Sequence, residues 1–155
     1  MEVFDTLAYC LLRNHYHLLI YVKENIVIPR KDGNGDIKLV ASRQFGHFLN
    51  AYAQSYNEMY NRTGSLFEKP FKRKSIESEE YLTSLVLYIH NNAIHHGLVS
   101  DFREWPHSSF HDLVGDGPTF LNREMVMEFF GGKEEFIRVH LDNCGLDGIE
   151  KWGLE

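Results

Sequence analysis

The chain has 155 residues, of which 43% are hydrophobic and 25% are charged, a composition typical of one globular domain and not of a disordered chain. Its two cysteines, Cys10 and Cys144, exclude a disulfide framework and a cysteine-based metal site, and they predict a reducing, cytoplasmic environment. The longest apolar runs are far shorter than the roughly 20 residues that cross a bilayer, so we expect no membrane association.

The net charge of −6 is divided unevenly along the sequence. Residues 1–75 contain 11 lysines and arginines against 7 acidic residues, whereas residues 76–155 contain 5 against 15. A strongly acidic protein would ordinarily repel nucleic acid. The basic first part, with a net charge of +4, is nevertheless compatible with a local surface that binds anions.

The start of the chain predicts a β-hairpin, with strands at residues 4–12 and 15–23 and a tight turn between them. The second strand carries His15 and His17. Because side chains alternate faces along a strand, two residues spaced in this way leave the same face side by side. Such a pair can bind one metal ion. The alternative is a half-buried strand whose histidines are satisfied by their neighbours.

The middle of the chain predicts an exposed loop, a helix and a basic segment. Residues 29–37 are rich in Pro, Gly and Asp, which is typical of a loop. Apolar residues then recur at helical spacing from about Val40 to Asn61, and Gly64 is expected to end this amphipathic helix. The recurring residues are Phe45, Phe48, Leu49, Tyr52, Tyr56 and Met59. Residues 65–74 predict an extended segment with a basic end.

A second helix is predicted from Ser78, a good N-cap, to about His96, where Gly97 stops it. Tyr88 and Asn92 lie one turn apart on it, so their oxygens can converge on one point. If that point lies over the histidine pair, the result is a metal site with a nucleophile beside it. The alternative is that Tyr88 is an ordinary tyrosine at the margin of the core.

Two shorter helices are predicted near the end of the chain. Asn122 can cap a helix that continues to Phe130, because its side chain can accept from free backbone amides in the first turn. The glycine pair at residues 131–132 breaks that helix, and another is expected from Lys133 to about Leu141.

Residues 8–20, which contain the histidine pair, resemble the metal-binding strand of the HUH superfamily of single-strand DNA endonucleases. More narrowly, they resemble the single-tyrosine transposases of the insertion-sequence 200 type and their REP-associated relatives. Similar blocks follow in the family's order at residues 60–67, 71–72, 81–82, 88–92, 97–99 and 105–110. The resemblance implies that His15, His17 and Asn92 bind a metal ion and that Tyr88 is the nucleophile.

The resemblance also implies an α+β fold, in which helices pack on an antiparallel sheet in the ferredoxin-like arrangement of HUH endonucleases. Relatives carry a strand and a helix before the hairpin, so this sheet is expected to lack both. We therefore expect a transposase domain at residues 1–115, short at its N-terminus, and a C-terminal helical extension at residues 116–155.

The function implied by the resemblance is metal-dependent cleavage and rejoining of single-stranded DNA next to hairpins, through a 5′-phosphotyrosine intermediate. The implied ion is Mg²⁺ or Mn²⁺, although two imidazoles alone suit Zn²⁺ equally well. A homodimer is expected, because one tyrosine per chain requires two chains to join two ends. Whether Tyr88 serves its own chain's histidines or those of a partner stays open.

The basic residues near the middle of the chain are the expected DNA contacts, with Phe67 or Phe71 stacking on bases. For any one of them the alternative is a solvated surface charge. The expected contacts are Arg62, Lys69, Lys72, Arg73 and Lys74. Six further histidines are expected to be structural or on the surface, namely His90, His95, His96, His107, His111 and His140.

Two other functions are compatible with the sequence. One is a non-catalytic or domesticated protein of the same fold that binds DNA hairpins without cutting them. The other is an unrelated two-histidine metallohydrolase, which would need no tyrosine.

Overall fold

A computed structural model describes residues 3–30, 33–68, 71–76 and 78–145. In these residues the chain forms four β-strands and five α-helices, and the predicted α+β class is confirmed. The strands form two separate two-stranded sheets. No helix in the described ranges combines the length and apolarity needed to cross a membrane.

The chain separates into two compact units. The first unit combines the start of the chain up to Phe4 with Val22–Ser75. The second unit combines Asp5–Tyr21 with the chain from Ile76 onward. The predicted boundary between residues 115 and 116 stays a prediction.

The first unit contains a short hairpin of β3 (Val27–Pro29) and β4 (Asp36–Lys38), in which Ile28 pairs with Ile37. The prediction that residues 29–37 form a loop is wrong at its two ends, since Pro29 and Asp36 pair with each other. Strands of three residues are too short to show an alternating pattern, so the sequence did not reveal them.

Helix α1 (Ala41–Met59) follows and confirms the predicted helix within two residues at each end. It ends before Gly64, because Tyr60 already leaves the helical geometry and Asn61 has a positive φ of 54°. Phe45, packed edge-on against Phe4 at 6.0 Å, is the buried residue of this helix. The rest of the apolar face predicted for α1 is partly buried or exposed.

The second unit contains the predicted N-terminal hairpin, formed by β1 (Phe4–Leu11), which enters this unit at Asp5, and β2 (Tyr16–Val22), which leaves it after Tyr21. The other edge of β1 pairs with later parts of the chain through bridges from Thr6 to Leu121 and from Cys10 to Ser108. Both edges of β1 are therefore partnered, which fixes the hairpin on the unit that carries α2.

Helix α2 (Glu79–His95) forms the centre of the second unit, and its start is fixed by the Ser78 hydroxyl, which accepts from the Tyr81 amide at 3.2 Å. A short 3-10 helix, Phe102–Glu104, and α3 (Phe110–Val114) follow; the sequence did not predict α3. It consists of only five residues, too few to show a helical period.

Helices α4 (Arg123–Phe130) and α5 (Lys133–Asp142) confirm the two C-terminal helices. The Asn122 side chain caps α4 by accepting from the Met125 amide at 3.1 Å. Their apolar residues share one core with α2 and the hairpin, including Leu7, Leu19, Val86, Ile89, Val126 and Phe136. The described part of the predicted C-terminal extension is thus integral to this core, and residues 146–155 lie outside the described ranges.

A buried chain of hydrogen bonds connects α2 to β1 and α5. The backbone carbonyl of Phe136 can only accept, so His140 donates Nδ1–H to it at 2.7 Å. His140 Nε2 then accepts from His90 Nδ1 at 2.8 Å, and His90 Nε2 accepts from the Ser109 hydroxyl at 2.8 Å. The Tyr9 amide donates to the same hydroxyl oxygen at 2.8 Å. Every link is satisfied with both rings neutral, as expected of structural histidines.

We expect this buried chain of hydrogen bonds to make the fold sensitive to acid. Burial lowers the pKa of His140 from 6.5 to about 4, and burial also lowers the pKa of His90, with a smaller contribution from His140. The unfolded chain therefore takes up protons first. Stability is fully present above about pH 6.5 and falls as the pH drops to about 4, by about 3 kcal/mol for His140 alone.

The measurement is the free energy of unfolding in urea, taken at steps between these two pH values. The exposed His107 supplies the control: His107→Asn should keep the whole acid loss. His140→Phe should remove the share due to His140 and keep the share due to other buried histidines such as His90, while lowering stability near neutral pH. A stability that stays constant over this window in the unmodified protein would contradict the neutral assignment.

Candidate active site

The two predicted histidines meet at the start of β2. His17 lies within the strand, and His15 lies in the turn just before it, where its carbonyl accepts from the Leu12 amide at 2.9 Å. The centres of the two imidazole rings are 5.3 Å apart. Asn14 Oδ1 accepts from His15 Nδ1 at 2.8 Å, so a neutral His15 carries its lone pair on Nε2.

His17 is held in the neutral form. Burial lowers the pKa of its imidazole to about 4, with smaller contributions from the charges of His15 and His96. A neutral imidazole is the form that binds a metal ion or accepts a proton. The ring is therefore ready to act as a ligand near neutral pH.

Tyr88 lies beside this pair within the same chain. Its ring centre is 5.3 Å from that of His17, with the two planes at 69°. Tyr88 is 5% exposed and belongs to the core of the second unit. The histidine pair and Tyr88 therefore lie side by side within the second unit.

Asn92 lies one turn after Tyr88 and has an unusual environment. It is 1% exposed, yet within the described part of the chain neither Oδ1 nor Nδ2 of its side chain has a hydrogen-bond partner. Its neighbour Asn91 donates to the carbonyls of Leu87 and Asn143. Burying an unpaired amide costs about 1–3 kcal/mol, so no hydrogen bond among the described residues explains an asparagine at this position.

Two further histidines lie at the site, although the sequence predicted that they were structural or on the surface. The ring of His96 is centred 4.8 Å from that of His15, and His95 is 5.9 Å from Tyr88. His96 follows Asn92 by four residues, and that helical spacing is the signal that could have identified it.

The donor set for a metal ion is limited. Among the described residues, no group of three or more His, Cys, Asp or Glu side chains is arranged to hold an ion. The predicted ligands are the two imidazoles of His15 and His17 and the amide oxygen of Asn92, which has no hydrogen-bond partner among the described residues. An orphaned buried amide oxygen one turn from the tyrosine fits a hard divalent cation, because such ions accept amide oxygen as a ligand.

The predicted DNA contacts belong to the first unit. Arg62, Lys72, Arg73 and Lys74 are exposed there, and Lys69 lies outside the described residues. The Arg62 guanidinium lies 5.6 Å from the centre of the Tyr56 ring. Phe67 packs against Tyr52, and Phe71 packs against Phe45.

Comparison with known proteins gives one informative relative. The chain is 31% identical over 136 residues to a protein of Haemophilus influenzae whose name assigns it to the REP-associated tyrosine transposases. The similarity covers 85% of this chain and 69% of that protein. No family model and no solved structure matches the chain.

Proposed function

The chain belongs to the family of REP-associated tyrosine transposases, and from this membership we propose that it cleaves and rejoins single-stranded DNA next to hairpins. In this proposal Tyr88 is the nucleophile and His15, His17 and Asn92 bind a divalent metal ion. The observation that carries the proposal is the buried, unpaired amide of Asn92, one turn from a tyrosine that packs against His17.

The reaction is a transesterification. The Tyr88 oxygen loses its proton and attacks the phosphorus of a phosphodiester, forming a bond to the 5′-phosphate. The bond to the 3′-oxygen breaks, and that oxygen takes up a proton. Reversal by a 3′-hydroxyl rejoins the strand, and no nucleotide cofactor is needed because the phosphotyrosine link conserves the bond energy.

The protein positions the groups for this step. The Ser78 cap fixes the start of α2, and the hydrogen bonds of His90 to Ser109 and His140 hold its middle. Tyr88 and Asn92 are thereby held one turn apart on one helix, which supports the proposal that the two side chains act together. Mg²⁺ or Mn²⁺, when bound, would polarise the phosphate and stabilise the charge of the leaving oxygen.

The remaining assignments follow the family. We place the protein with its DNA in the cytoplasm, as a homodimer, since one tyrosine per chain requires two chains to exchange two ends. The exposed basic residues of the first unit, among them Arg62 and Lys72, would bind phosphates, which makes the affinity sensitive to salt.

The test is formation of a covalent adduct. A labelled single-stranded hairpin DNA incubated with the protein and Mn²⁺ should yield a protein–DNA species that survives denaturation. Tyr88→Phe should abolish this species, because phenylalanine has no oxygen to attack phosphorus. Tyr81→Phe, a matched change two turns earlier on α2, should keep it.

The other outcomes identify the competing functions. Binding of the hairpin with no adduct would show a non-catalytic DNA-binding protein. Hydrolysis that persists in Tyr88→Phe would show a metallohydrolase that needs no tyrosine. Either result would refute the proposed mechanism.

A further inference from the structure

Three tyrosines follow one another along the last turns of helix α1 and the residue after it. Tyr52 and Tyr56 belong to α1, Tyr60 directly follows its last residue, and the three are spaced by four residues. Tyr56 is partly buried. Tyr52 is 51% exposed and Tyr60 is 57% exposed. Four residues of helix rise about 6 Å, so Tyr52 and Tyr56 lie on one face of α1. The ring of Tyr60 contacts that of Tyr56 and continues the row into a ladder of three rings.

The rings of this tyrosine ladder are ordered by contact with one another. The centres of Tyr52 and Tyr56 are 6.3 Å apart in a stacked orientation, and those of Tyr56 and Tyr60 are 4.5 Å apart. Phe67 extends the ladder, because its ring packs 5.9 Å from that of Tyr52. The result is a row of aromatic faces and edges at the surface.

The backbone around the ladder is fixed. Asn57 donates its side-chain amide to the Gly64 carbonyl at 2.9 Å, and its own carbonyl accepts from the Arg62 amide at 2.8 Å. These bonds fold the turn after α1 back onto the helix. They place the Arg62 guanidinium 5.6 Å from the centre of the Tyr56 ring.

The segment after this turn runs back along α1. Phe67 contacts Tyr52, and Phe71 contacts Phe45, which is two turns nearer the start of the helix. The exposed cations Lys72, Arg73 and Lys74 follow directly. The same unit therefore combines exposed aromatic rings with an excess of positive charge.

We propose that Tyr52, Tyr56 and Tyr60 form a stacking platform for unpaired bases of single-stranded DNA. In this proposal Arg62 binds the phosphate that links two of the stacked bases. This proposal rests on the proposed function and adds to it a binding subsite remote in sequence from the tyrosine nucleophile. Stacking on aromatic rings tolerates any base, because every base presents a π-face.

The positive charge of this surface favours binding of nucleic acid over binding of a second copy of the chain. The cation next to the ladder and the three that follow Phe71 favour a polyanion. A second copy of the same face would bring these like charges together, which opposes pairing of two chains through it. Bases between or upon the rings would cover the aromatic surface while the cations bind the phosphates.

The experiment compares two probes on the full chain in the presence of EDTA: an oligothymidylate of about 12 nucleotides and an abasic strand of equal length. Fluorescence anisotropy gives the affinity for each. Tyr60→Ala and Tyr52→Ala should each weaken binding of oligothymidylate by about fivefold or more, the loss of one stacked base, and leave the abasic strand unaffected.

Matched variants separate stacking from other effects. Tyr60→Phe keeps the ring and should bind as the unmodified protein does. Met59→Ala removes a side chain that is 76% exposed on the same helix and should also leave both affinities unchanged. Arg62→Gln should weaken both probes alike and reduce the dependence of affinity on salt.

Three outcomes would contradict the stacking platform. The alanine variants could lose less than twofold in affinity for oligothymidylate, or they could lose affinity equally for the two probes. They could also change the sedimentation mass of the protein without changing its affinity for DNA. The adduct assay separates this from the proposed function. Alanine variants that bind normally while the Tyr88 adduct still forms refute the platform alone, whereas absence of binding and adduct in the unmodified protein refutes the proposed function.

Discussion

Replacement of His17 by Ala is expected to reduce the rate of strand cleavage by at least about 100-fold, since it removes one of only two imidazoles in the donor set. The ring lies 5.3 Å from both His15 and Tyr88, and burial keeps it neutral. The loss should appear as a weaker affinity for Mn²⁺, measured by titration calorimetry, and cleavage should recover in part at high Mn²⁺ concentration.

Two other histidines serve as controls for this prediction. His107→Ala changes a surface ring that packs on Trp105 and should leave cleavage unchanged. His96→Ala should cost less than His17→Ala, because His96 contacts His15 without completing a three-histidine group. Equal losses in His96→Ala and His17→Ala would contradict the assignment of Asn92 as the third ligand.

Replacement of Asn92 by Leu is expected to raise the stability of the protein and to lower its cleavage activity. Leucine of similar shape removes an amide that is buried and unpaired, so the free energy of unfolding without metal should rise by about 1 kcal/mol. Cleavage should nevertheless fall by at least about 100-fold, because the amide oxygen is the proposed third ligand. Urea unfolding and the adduct assay measure the two effects in one preparation.

The neighbouring residue provides the matched control. Asn91→Leu removes bonds to the carbonyls of Leu87 and Asn143 and leaves the Gly145 amide without its acceptor. It should lower the free energy of unfolding by about 2 kcal/mol. If Asn92→Leu destabilised the protein as much as Asn91→Leu does, Asn92 would have a structural role and the account of its unpaired amide would be wrong.

Such a pattern, a gain of stability with a loss of activity, is typical of functional sites that retain unfavourable groups. A structural asparagine would show the opposite pattern, with both quantities falling together. The pair of variants therefore tests the role of the residue more sharply than the activity of either one alone.

Features set by local chemistry were predictable from the sequence. The N-cap at Ser78, the cap at Asn122 and the break at Gly131 depend on residues within one helical turn, and the structure confirms each. The proximity of His15 and His17 is likewise local, since the two are separated by one residue, although His15 lies in the turn before β2 and not in the strand as predicted.

Features set by contacts between distant residues were not predictable. The spacing of aromatic residues in α1 predicts a face that packs in the core, yet Phe45 is the buried residue of this helix. No local pattern distinguishes a buried aromatic face from an exposed one. The link from His90 to His140 joins residues 50 positions apart. Whether the Asn92 amide has a hydrogen-bond partner depends on the packing of the whole unit, because that packing determines which polar groups lie near it.

The most direct test of Tyr88 as the nucleophile is to identify the residue that becomes attached to DNA. The adduct formed on single-stranded hairpin DNA with Mn²⁺ is digested with a protease and a nuclease, and the modified peptide is sequenced by mass spectrometry. We expect a nucleotide joined through its 5′-phosphate to Tyr88. A nucleotide on any other residue, or one joined through its 3′-phosphate, would contradict that expectation.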